Sequence, residues 1–207
     1  WVANFDDDAR PLSPDFFLQV ETALRAFPDA AMLSFSNQHD DGMLELPSLV
    51  AAHSGYACVF NKAWFGRMGG FVPLPFAYCM EEVDYGIRVH AAGGYLLHCP
   101  WVPVEHAMIE RPIEPGFQAG ALRNICLFLF LRYPPVLWPL AAMQILRRVL
   151  WLALRCPSAL PSGLAGIPAH LWRHRRYRAT VPPEKVLSWL HLQRRPVPVS
   201  TAVANPD

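Results

Sequence analysis

Three consecutive aspartates, Asp6, Asp7 and Asp8, directly follow a short apolar stretch, residues 1–5, that predicts a β-strand. Adjacent carboxylates repel one another unless a cation bridges them, and a hard divalent metal such as Mg²⁺ or Mn²⁺ binds well to carboxylate and diphosphate oxygens. Aspartate is also common in solvated turns. The triplet is therefore either a metal-binding loop at the end of a strand or an ordinary polar turn.

A second acidic cluster, Glu81, Glu82 and Asp84, lies at the start of a predicted helix over residues 81–92. Carboxylates in the first turn interact favourably with the helix dipole, and Asp84 can pair with Arg88 four residues later, so one interpretation is purely structural. The other is catalytic, because a carboxylate at this position can accept the proton of an attacking hydroxyl group. The cluster alone leaves both interpretations open.

A single histidine, His106, ends a predicted strand over residues 102–106. Imidazole is a suitable ligand for Mn²⁺ and other borderline metals, and the end of a strand holds a side chain well. A lone histidine is nevertheless more often an ordinary core or surface residue. The other seven histidines have no comparable setting.

Strands alternate with helices over the first 106 residues, which is typical of an α/β sheet. The predicted strands cover residues 1–5, 31–35, 53–60, 95–99 and 102–106, and the predicted helices cover residues 16–27, 62–68 and 81–92. Ser13 as N-cap and Pro14 at the first helical position predict the start of the first helix. Ligands of such a sheet usually lie at the carboxyl ends of its strands.

Charge is distributed unevenly along the 207 residues. Residues 1–120 hold 15 acidic and 6 basic side chains, a net charge of −9, whereas residues 121–207 hold 2 acidic and 12 basic ones, a net charge of +10. The 53% of apolar residues excludes wholesale disorder. The charge asymmetry between residues 1–120 and 121–207 predicts that the two parts of the chain lie in different surroundings. We expect an α/β domain over residues 1–118, a basic helical extension over 119–195 and a disordered tail over 196–207.

The basic half combines apolar stretches with tryptophan and arginine. Residues 121–131 and 137–154 are apolar, but prolines and arginines interrupt them, whereas about 20 apolar residues are needed to span a bilayer. Tryptophans among arginines are typical of helices that lie in a membrane interface. The alternative is an extension that packs on the first domain or on a partner subunit. We expect no nucleic-acid partner, because aromatic residues are sparse in the basic segment 170–178 and the acidic half would repel phosphate.

Two further features concern the cell compartment and the start of the chain. Five cysteines without a Cys-x-x-Cys motif favour reduced, cytosolic thiols over a disulfide or zinc framework. The chain begins with Trp1 inside a predicted strand, so we expect that the beginning of the fold is missing.

Taken in order, these features resemble the family 2 inverting glycosyltransferases with the GT-A fold, over about residues 1–133. The nearest likeness is to bacterial galactofuranosyl- and rhamnosyltransferases that build cell-wall or surface polysaccharide. The motifs that carry it are the strand followed by Asp-Asp-Asp, then Gly55-Tyr56-Ala57-Cys58-Val59-Phe60 with Gly69-Gly70-Phe71, then Pro73-Leu74-Pro75-Phe76, then Glu81-Glu82-Val83-Asp84-Tyr85-Gly86-Ile87-Arg88 followed by Ala92-Gly93-Gly94, then Pro103 to His106, and finally Arg123-Asn124 ahead of Arg132-Tyr133-Pro134.

The resemblance implies roles for individual residues. Asp6 and Asp8 match the ends of the family's DxD motif, with Asp8 as the direct metal ligand and Asp6 nearer to the donor's ribose or the metal. His106 completes the metal site. The family's catalytic base is the second acid of a pair, which falls on Glu82. Because this sequence has glutamate where the family has aspartate, Asp84 is a second candidate.

The resemblance also implicates residues that contact the two substrates. These are Asp7 for the donor, and Tyr56, Trp64 and Glu81 for the acceptor sugar. An aromatic face suits the apolar C–H surface of a sugar. The alternative for both aromatics is a place in the core beside Phe60 and Phe65.

As a whole, the resemblance implies a partial GT-A catalytic domain, a mixed sheet flanked by helices that lacks its first strands, plus a C-terminal amphipathic helical extension. The implied reaction is the Mn²⁺- or Mg²⁺-dependent transfer of a galactofuranose- or rhamnose-type sugar from a nucleotide-diphosphate donor to a glycan or lipid-linked acceptor. Residues 119–195 would lie on the cytoplasmic face of the inner membrane, with a homo-oligomer as an open option.

Two other function classes stay open. A membrane-associated scaffold with a degenerate GT-A fold would need no turnover, and the absence of the first strands, which hold the nucleotide base, favours it. A metal-dependent phosphohydrolase would also use clustered aspartates. It would release phosphate from simple esters without a sugar acceptor.

Overall fold

The computed structural model describes residues 1–37, 46–107 and 113–199. These described residues form two compact units. Within the described residues, the first unit, called the sheet unit, takes in residues 1–37, 46–70, 85–107 and 188–199. The second, called the helical unit, takes in residues 71–84 and 113–187. The sequence predicts a boundary between residues 118 and 119 and a tail from residue 196, and the first of these boundaries stays a prediction.

The sheet unit contains a mixed sheet, which confirms the α/β fold class. Its strands within the described residues are β1 (Val2–Phe5), β2 (Ala9–Pro11), β3 (Met32–Asn37), β4 (Ser48–Val50), β5 (Ala57–Phe60), β6 (Leu96–His106) and β7 (Val197–Pro198). They are ordered β1-β5-β3-β6-β4-β7, and β2 pairs with β6. Strands β3 and β6 run parallel, whereas the other pairs are antiparallel.

Strand β7 lies within residues 196–207, which the sequence predicts to be a disordered tail. Residues 197 and 198 pair with β4 instead of being disordered, and Val199 donates its N–H to the Pro47 carbonyl. The rest of that tail, residues 200–207, lies outside the described residues.

Strand β6 differs from the sequence prediction of two short strands broken by prolines. It is one strand of 11 residues, and its register against β3 shifts between Phe35, which is opposite Cys99, and Ser36, which is opposite Pro103. A proline has no N–H to donate to the ladder, so a local irregularity is where a strand tolerates it. The strand therefore continues through the irregularity and holds His106 at its far end.

Three helices accompany the sheet: α1 (Phe16–Ala26), α2 (Lys62–Arg67) and α3 (Glu81–Ala91). Helix α1 buries Phe16, Val20 and Ala23 in one cluster with strand residues such as Leu33. Burial of a large apolar side chain contributes roughly 1.5–3 kcal/mol. The helix begins at Phe16, as the predicted range 16–27 has it, but its N-cap is Asp15 and not Ser13. The Ser13 Oγ instead accepts the Asp15 N–H.

Helix α3 packs directly against backbone at Gly86. A Cβ at this glycine would lie 2.0 Å from the Ala51 carbonyl oxygen, which also accepts the indole N–H of Trp189 at 2.8 Å. Only a residue without a side chain permits this approach. The glycine in the Asp-Tyr-Gly motif thus has a packing role.

The remaining helices are α4 (Pro115–Arg132), α5 (Trp138–Arg155), α6 (Leu160–His174) and α7 (Pro183–Arg194). Helix α4 is mostly buried and has apolar side chains on all its faces, as expected of a central core helix, although Asn124 and Arg132 are buried with them. Its Leu122 and Cys126 pack with Leu152 and Cys156 in the core of the helical unit. By contrast, only Ala141 and Leu152 of α5 are buried. The five cysteines, all within the described ranges, are free.

Candidate metal centre

Asp6, Asp8 and His106 lie together in the sheet unit. One ligand atom from each side chain lies within 4.8 Å of the other two, and Asp8 Oδ1 is 3.2 Å from His106 Nε2. The histidine is about a hundred positions from the aspartates in the sequence, so the fold brings them together. Asp7, in the same turn, is exposed and does not belong to this cluster.

Backbone hydrogen bonds fix the aspartate turn on both sides. The N–H of Asp6 donates to the Tyr56 carbonyl at 2.9 Å, and the N–H of Ala9 donates to the Asp6 carbonyl at 3.1 Å, which closes the turn. Strand β2 then pairs with β6, with Ala9 opposite His106, and Ala107 N–H donates to the Asp8 carbonyl at 3.0 Å. The sheet itself therefore sets the separation of Asp8 and His106.

The imidazole of His106 is held by the residues beneath it. Its ring stacks on Tyr56 with centroids 4.7 Å apart and planes 14° apart, and the Tyr56 hydroxyl donates to the Phe35 carbonyl at 3.0 Å. The backbone N–H of His106 donates to Asn37 Oδ1 at 3.3 Å. Tyr56 thus supports the histidine. Its predicted contact with an acceptor sugar stays a prediction.

The donor set of this cluster suits a divalent cation. Two carboxylates and one imidazole match the oxygen-rich ligand preference of Mg²⁺ and Mn²⁺, with the nitrogen favouring Mn²⁺. The side chains of Asp8 and His106 are 23% and 24% exposed, and Asp6 is exposed, so solvent or a ligand reaches the site. The metal roles of all three residues stay predictions.

The helical unit holds the acidic cluster at the start of α3, and Asp84 is its buried member. The carboxylate is 1% exposed and accepts from Arg132 Nε at 2.5 Å and Arg132 Nη2 at 3.3 Å. The same arginine donates to the carbonyls of Tyr177 and Ala179 at 3.1 and 3.3 Å. Asp84 and Arg132 form a hydrogen-bonded buried ion pair.

Glu81 and Glu82 are partly exposed and act electrostatically on their neighbours. Burial raises the pKa of the Cys79 thiol to about 11, Arg148 opposes this, and Glu82 and Glu81 add to it. Cys79 itself has φ +64°, a left-handed conformation that is rare outside glycine. Backbone strain of this kind clusters at functional sites. The segment just before the two glutamates is thus conformationally unusual.

Trp64, the other predicted acceptor aromatic, packs within the sheet unit. A Cβ at Gly94 would lie 2.6 Å from its ring, and the Arg67 guanidinium lies 4.8 Å from the ring centroid. The benzo edge of the indole therefore packs closely against Gly94. Its acceptor role also stays a prediction.

The sequence alone did not predict two contacts of these sites: the ion pair of Arg132 with Asp84 and the stacking of Tyr56 on His106. Arg132 interrupts the end of an apolar helix, which is a usable sign of a buried counter-charge. Nothing in the local sequence marks the stacking of Tyr56 on His106, because those residues meet only through the sheet register.

No protein-family model matches the sequence, and no curated protein matches it significantly. Among solved structures, the chain is similar to a mannosyltransferase from Pyrobaculum calidifontis in complex with GDP-Man and Mn²⁺, with 16% sequence identity and a TM-score of 0.46. The similarity covers 93% of this chain and 58% of that chain, so this chain spans little more than half of that protein's length. A TM-score below 0.5 does not establish a shared fold, and the functional assignment therefore rests on the residues of the site.

Proposed function

We propose that this chain is a metal-dependent inverting glycosyltransferase of the GT-A class, within family 2. The single observation that carries the proposal is the convergence of Asp6, Asp8 and His106. Two aspartates from one turn and a histidine from the end of β6 form a donor set that fits Mn²⁺ or Mg²⁺. A metal site at the edge of an α/β sheet suits a nucleotide-diphospho-sugar donor.

In this proposal the sheet unit binds the donor. Asp8 and His106 hold the metal, and Asp6 and Asp7 lie beside the donor's ribose and diphosphate. A divalent cation at this position supplies positive charge against the departing nucleoside diphosphate. The sugar is of the galactofuranose or rhamnose type, and the acceptor is a hydroxyl group of a glycan or lipid-linked sugar.

We assign the general base to Glu82 over Asp84. Both carboxylate oxygens of Asp84 already accept hydrogen bonds from Arg132 in a buried pair, so that carboxylate is committed to the fold. Glu82 is partly exposed. A single displacement with Glu82 removing the acceptor's proton inverts the anomeric centre.

Glu81 is the proposed acceptor-binding acid. Its Oε2 atom is buried and has no hydrogen-bond partner among the described residues. The residue as a whole is partly exposed, and that exposed part is where we place the contact with a sugar hydroxyl. Tyr56 and Trp64 remain the proposed aromatic contacts of the acceptor.

Replacing Glu82 with glutamine is expected to lower kcat by about 10²- to 10⁴-fold, the range that general base catalysis contributes, while donor affinity changes little. The amide keeps the shape of the side chain but cannot take a proton. Steady-state kinetics and a donor binding titration measure the two effects. The matched control is Glu184→Gln, on the exposed side of α7, which should change neither. An equal loss of rate and donor affinity in Glu82→Gln would contradict the base role.

We further propose that the helical unit lies on an anionic membrane surface at the cytoplasmic face of the inner membrane. Helix α5 exposes Met143, Leu146, Leu150 and Leu154, whose spacing places them along one helix face. Leu154 is 85% exposed. Segment Pro135–Arg155 is long and apolar enough to cross a membrane by length and composition, and 11% of its 18-residue apolar window is buried. Arg147 and Arg148 within it favour an interfacial position.

The double variant Leu150→Glu/Leu154→Glu is expected to weaken binding to anionic vesicles at least about tenfold, since each leucine contributes roughly 1.5–3 kcal/mol when buried. Flotation with phosphatidylglycerol vesicles measures this. Leu18→Glu, at an exposed position of α1, is the control for added negative charge and should have a small effect. Equal losses in the two variants would argue against α5 as the membrane-contacting face.

A further inference from the structure

The helical unit contains a cavity of about 250 Å³ that the proposed glycosyl transfer does not use. Its walls come from helices α4 and α6 and from the segment before α3. The lining residues are Pro75, Phe76, Gly120, Arg123, Asn124, Gly166, Ala169, His170, Arg173 and His174. Among these described residues none is acidic, whereas four carry a cationic or titratable basic group.

The two arginines of this cavity keep their charge available. Within the described residues, neither Arg123 nor Arg173 forms an ion pair. Burial lowers the pKa of His170 to about 4, and repulsion from His174, Arg123 and Arg173 adds to this. The cavity therefore concentrates positive potential without an internal counter-charge.

Asn124 organises the polar wall. Its Nδ2 donates to the carbonyls of Phe76 and Tyr78, both at 2.9 Å, so its Oδ1 is left as the acceptor for His170 Nε2 at 3.0 Å. His174 Nδ1 donates to the His170 carbonyl at 2.9 Å. Both imidazoles are thus fixed by hydrogen bonds that leave one ring nitrogen of each for other contacts.

Two glycines keep the cavity open. A Cβ at Gly166 would lie 2.7 Å from Arg123 Cδ and 3.0 Å from its Nη1. A Cβ at Gly120 would lie 2.7 Å from the Phe76 ring. Larger residues at either position would push on the walls, so the open space depends on these glycines.

We propose that this cavity is an anion-binding site for a phosphate or diphosphate group, held by Arg123 and Arg173 with the two histidines alongside. Arginine is well suited to phosphoryl oxygens because its planar fork donates two parallel hydrogen bonds. Such an anion supplies the counter-charge that the cavity lacks. The group comes from a soluble phosphate compound or from a lipid headgroup. The site does not depend on the proposed transferase activity.

Calorimetric titration of the whole chain with inorganic diphosphate tests the site. A chelator in the buffer removes divalent metal, so the Asp6/Asp8/His106 cluster does not contribute. We expect one saturable site, weakened at least about tenfold by Arg123→Gln and by Arg173→Gln, because hydrogen bonds to charged groups are strong. Arg155→Gln, an exposed arginine outside the cavity, removes the same charge and should leave the affinity within about twofold.

A second variant tests whether a loss of diphosphate binding comes from the geometry of the site and not from a change in net charge or from misfolding. Gly166→Ala keeps every charge and improves helix propensity, but its methyl group displaces the Arg123 side chain. It should weaken diphosphate binding several-fold in a protein that unfolds at an unchanged or higher temperature. No saturable binding by the unmodified chain, or equal affinities for the Gly166→Ala, Arg123→Gln and Arg155→Gln variants, would overturn the proposal.

Vesicle flotation then distinguishes the two sources of the phosphate group. A lipid source predicts that phosphatidic acid in phosphatidylcholine vesicles increases binding, and that Arg123→Gln removes this increase. Arg194→Gln, at an exposed arginine outside both the helical unit and the cavity, should not remove it. A soluble source predicts the same calorimetric result with an equal phosphatidic acid effect in both variants. Either outcome supports the phosphate site, whereas an increase that persists in Arg123→Gln together with absent diphosphate binding contradicts it.

Discussion

Replacing Asp8 with asparagine is expected to weaken Mn²⁺ binding on the order of 100-fold or more, because the charge and number of ligands set the affinity of carboxylate-rich metal sites. The side chain keeps its size and its place 3.2 Å from His106 Nε2, so the change removes charge and little else. If the metal serves glycosyl transfer, metal-dependent transfer is lost with it. Titration of Mn²⁺ followed by electron paramagnetic resonance measures the affinity directly.

The adjacent residue provides the matched control for this experiment. Asp7 lies in the same turn but does not belong to the cluster, so Asp7→Asn should change the Mn²⁺ affinity by less than about threefold through long-range charge alone. His106→Ala should resemble Asp8→Asn. If Asp7→Asn is as damaging as Asp8→Asn, the turn attracts cations nonspecifically and the assigned ligands are wrong.

Replacing Arg132 with methionine is expected to destabilise the protein by about 3–5 kcal/mol, the cost of breaking a buried ion pair from one side. The change leaves the Asp84 carboxylate in a buried position without its main donor. It also removes the donor to the carbonyls of Tyr177 and Ala179. Equilibrium unfolding in urea, followed by circular dichroism, gives the free energy of unfolding.

Two further variants identify the cause of that loss. The double variant Arg132→Met/Asp84→Leu removes both charges and should recover much of the stability, because an apolar pair can replace a buried ion pair. Arg25→Ala, which breaks an exposed pair with Glu21, should cost less than about 1 kcal/mol. Equal costs for Arg132→Met and Arg25→Ala would show that the Asp84 pair does not hold the helical unit together.

The local elements of this fold could be predicted because their signals are local. The apolar stretch before Asp6 predicts a strand and forms β1. The spacing of apolar residues after Glu81 predicts a helix, and that segment forms α3. The continuity of β6 through Pro100 and Pro103 could not be predicted, because the neighbouring strands determine whether a proline is tolerated. A sequence pattern gives the periodicity of one segment, whereas the register of a strand depends on residues that are distant in the sequence.

The residues of the candidate site could likewise be predicted in part from the sequence, whereas several of their contacts could not. Resemblance to a family selected Asp6, Asp8 and His106, and the structure brings their ligand atoms together. The pairing of Asp84 with Arg132 joins residues 48 positions apart, so no local sequence pattern indicates it. The assignment of the base to Glu82 rests on that pairing and stays a proposal. The cavity that we propose as an anion site is likewise assembled from distant segments, with His170 hydrogen-bonded to Asn124.

A panel of nucleotide-diphospho-sugars, assayed with the full-length protein in the presence and absence of Mn²⁺, tests the proposed glycosyl transfer most directly. We expect Mn²⁺-dependent release of nucleoside diphosphate from one class of donor, with inversion at the anomeric carbon in the product and loss of turnover in Asp8→Asn. Turnover of no donor would contradict it and favour a non-catalytic scaffold. Release of phosphate from simple esters without any sugar acceptor would contradict it in favour of a phosphohydrolase.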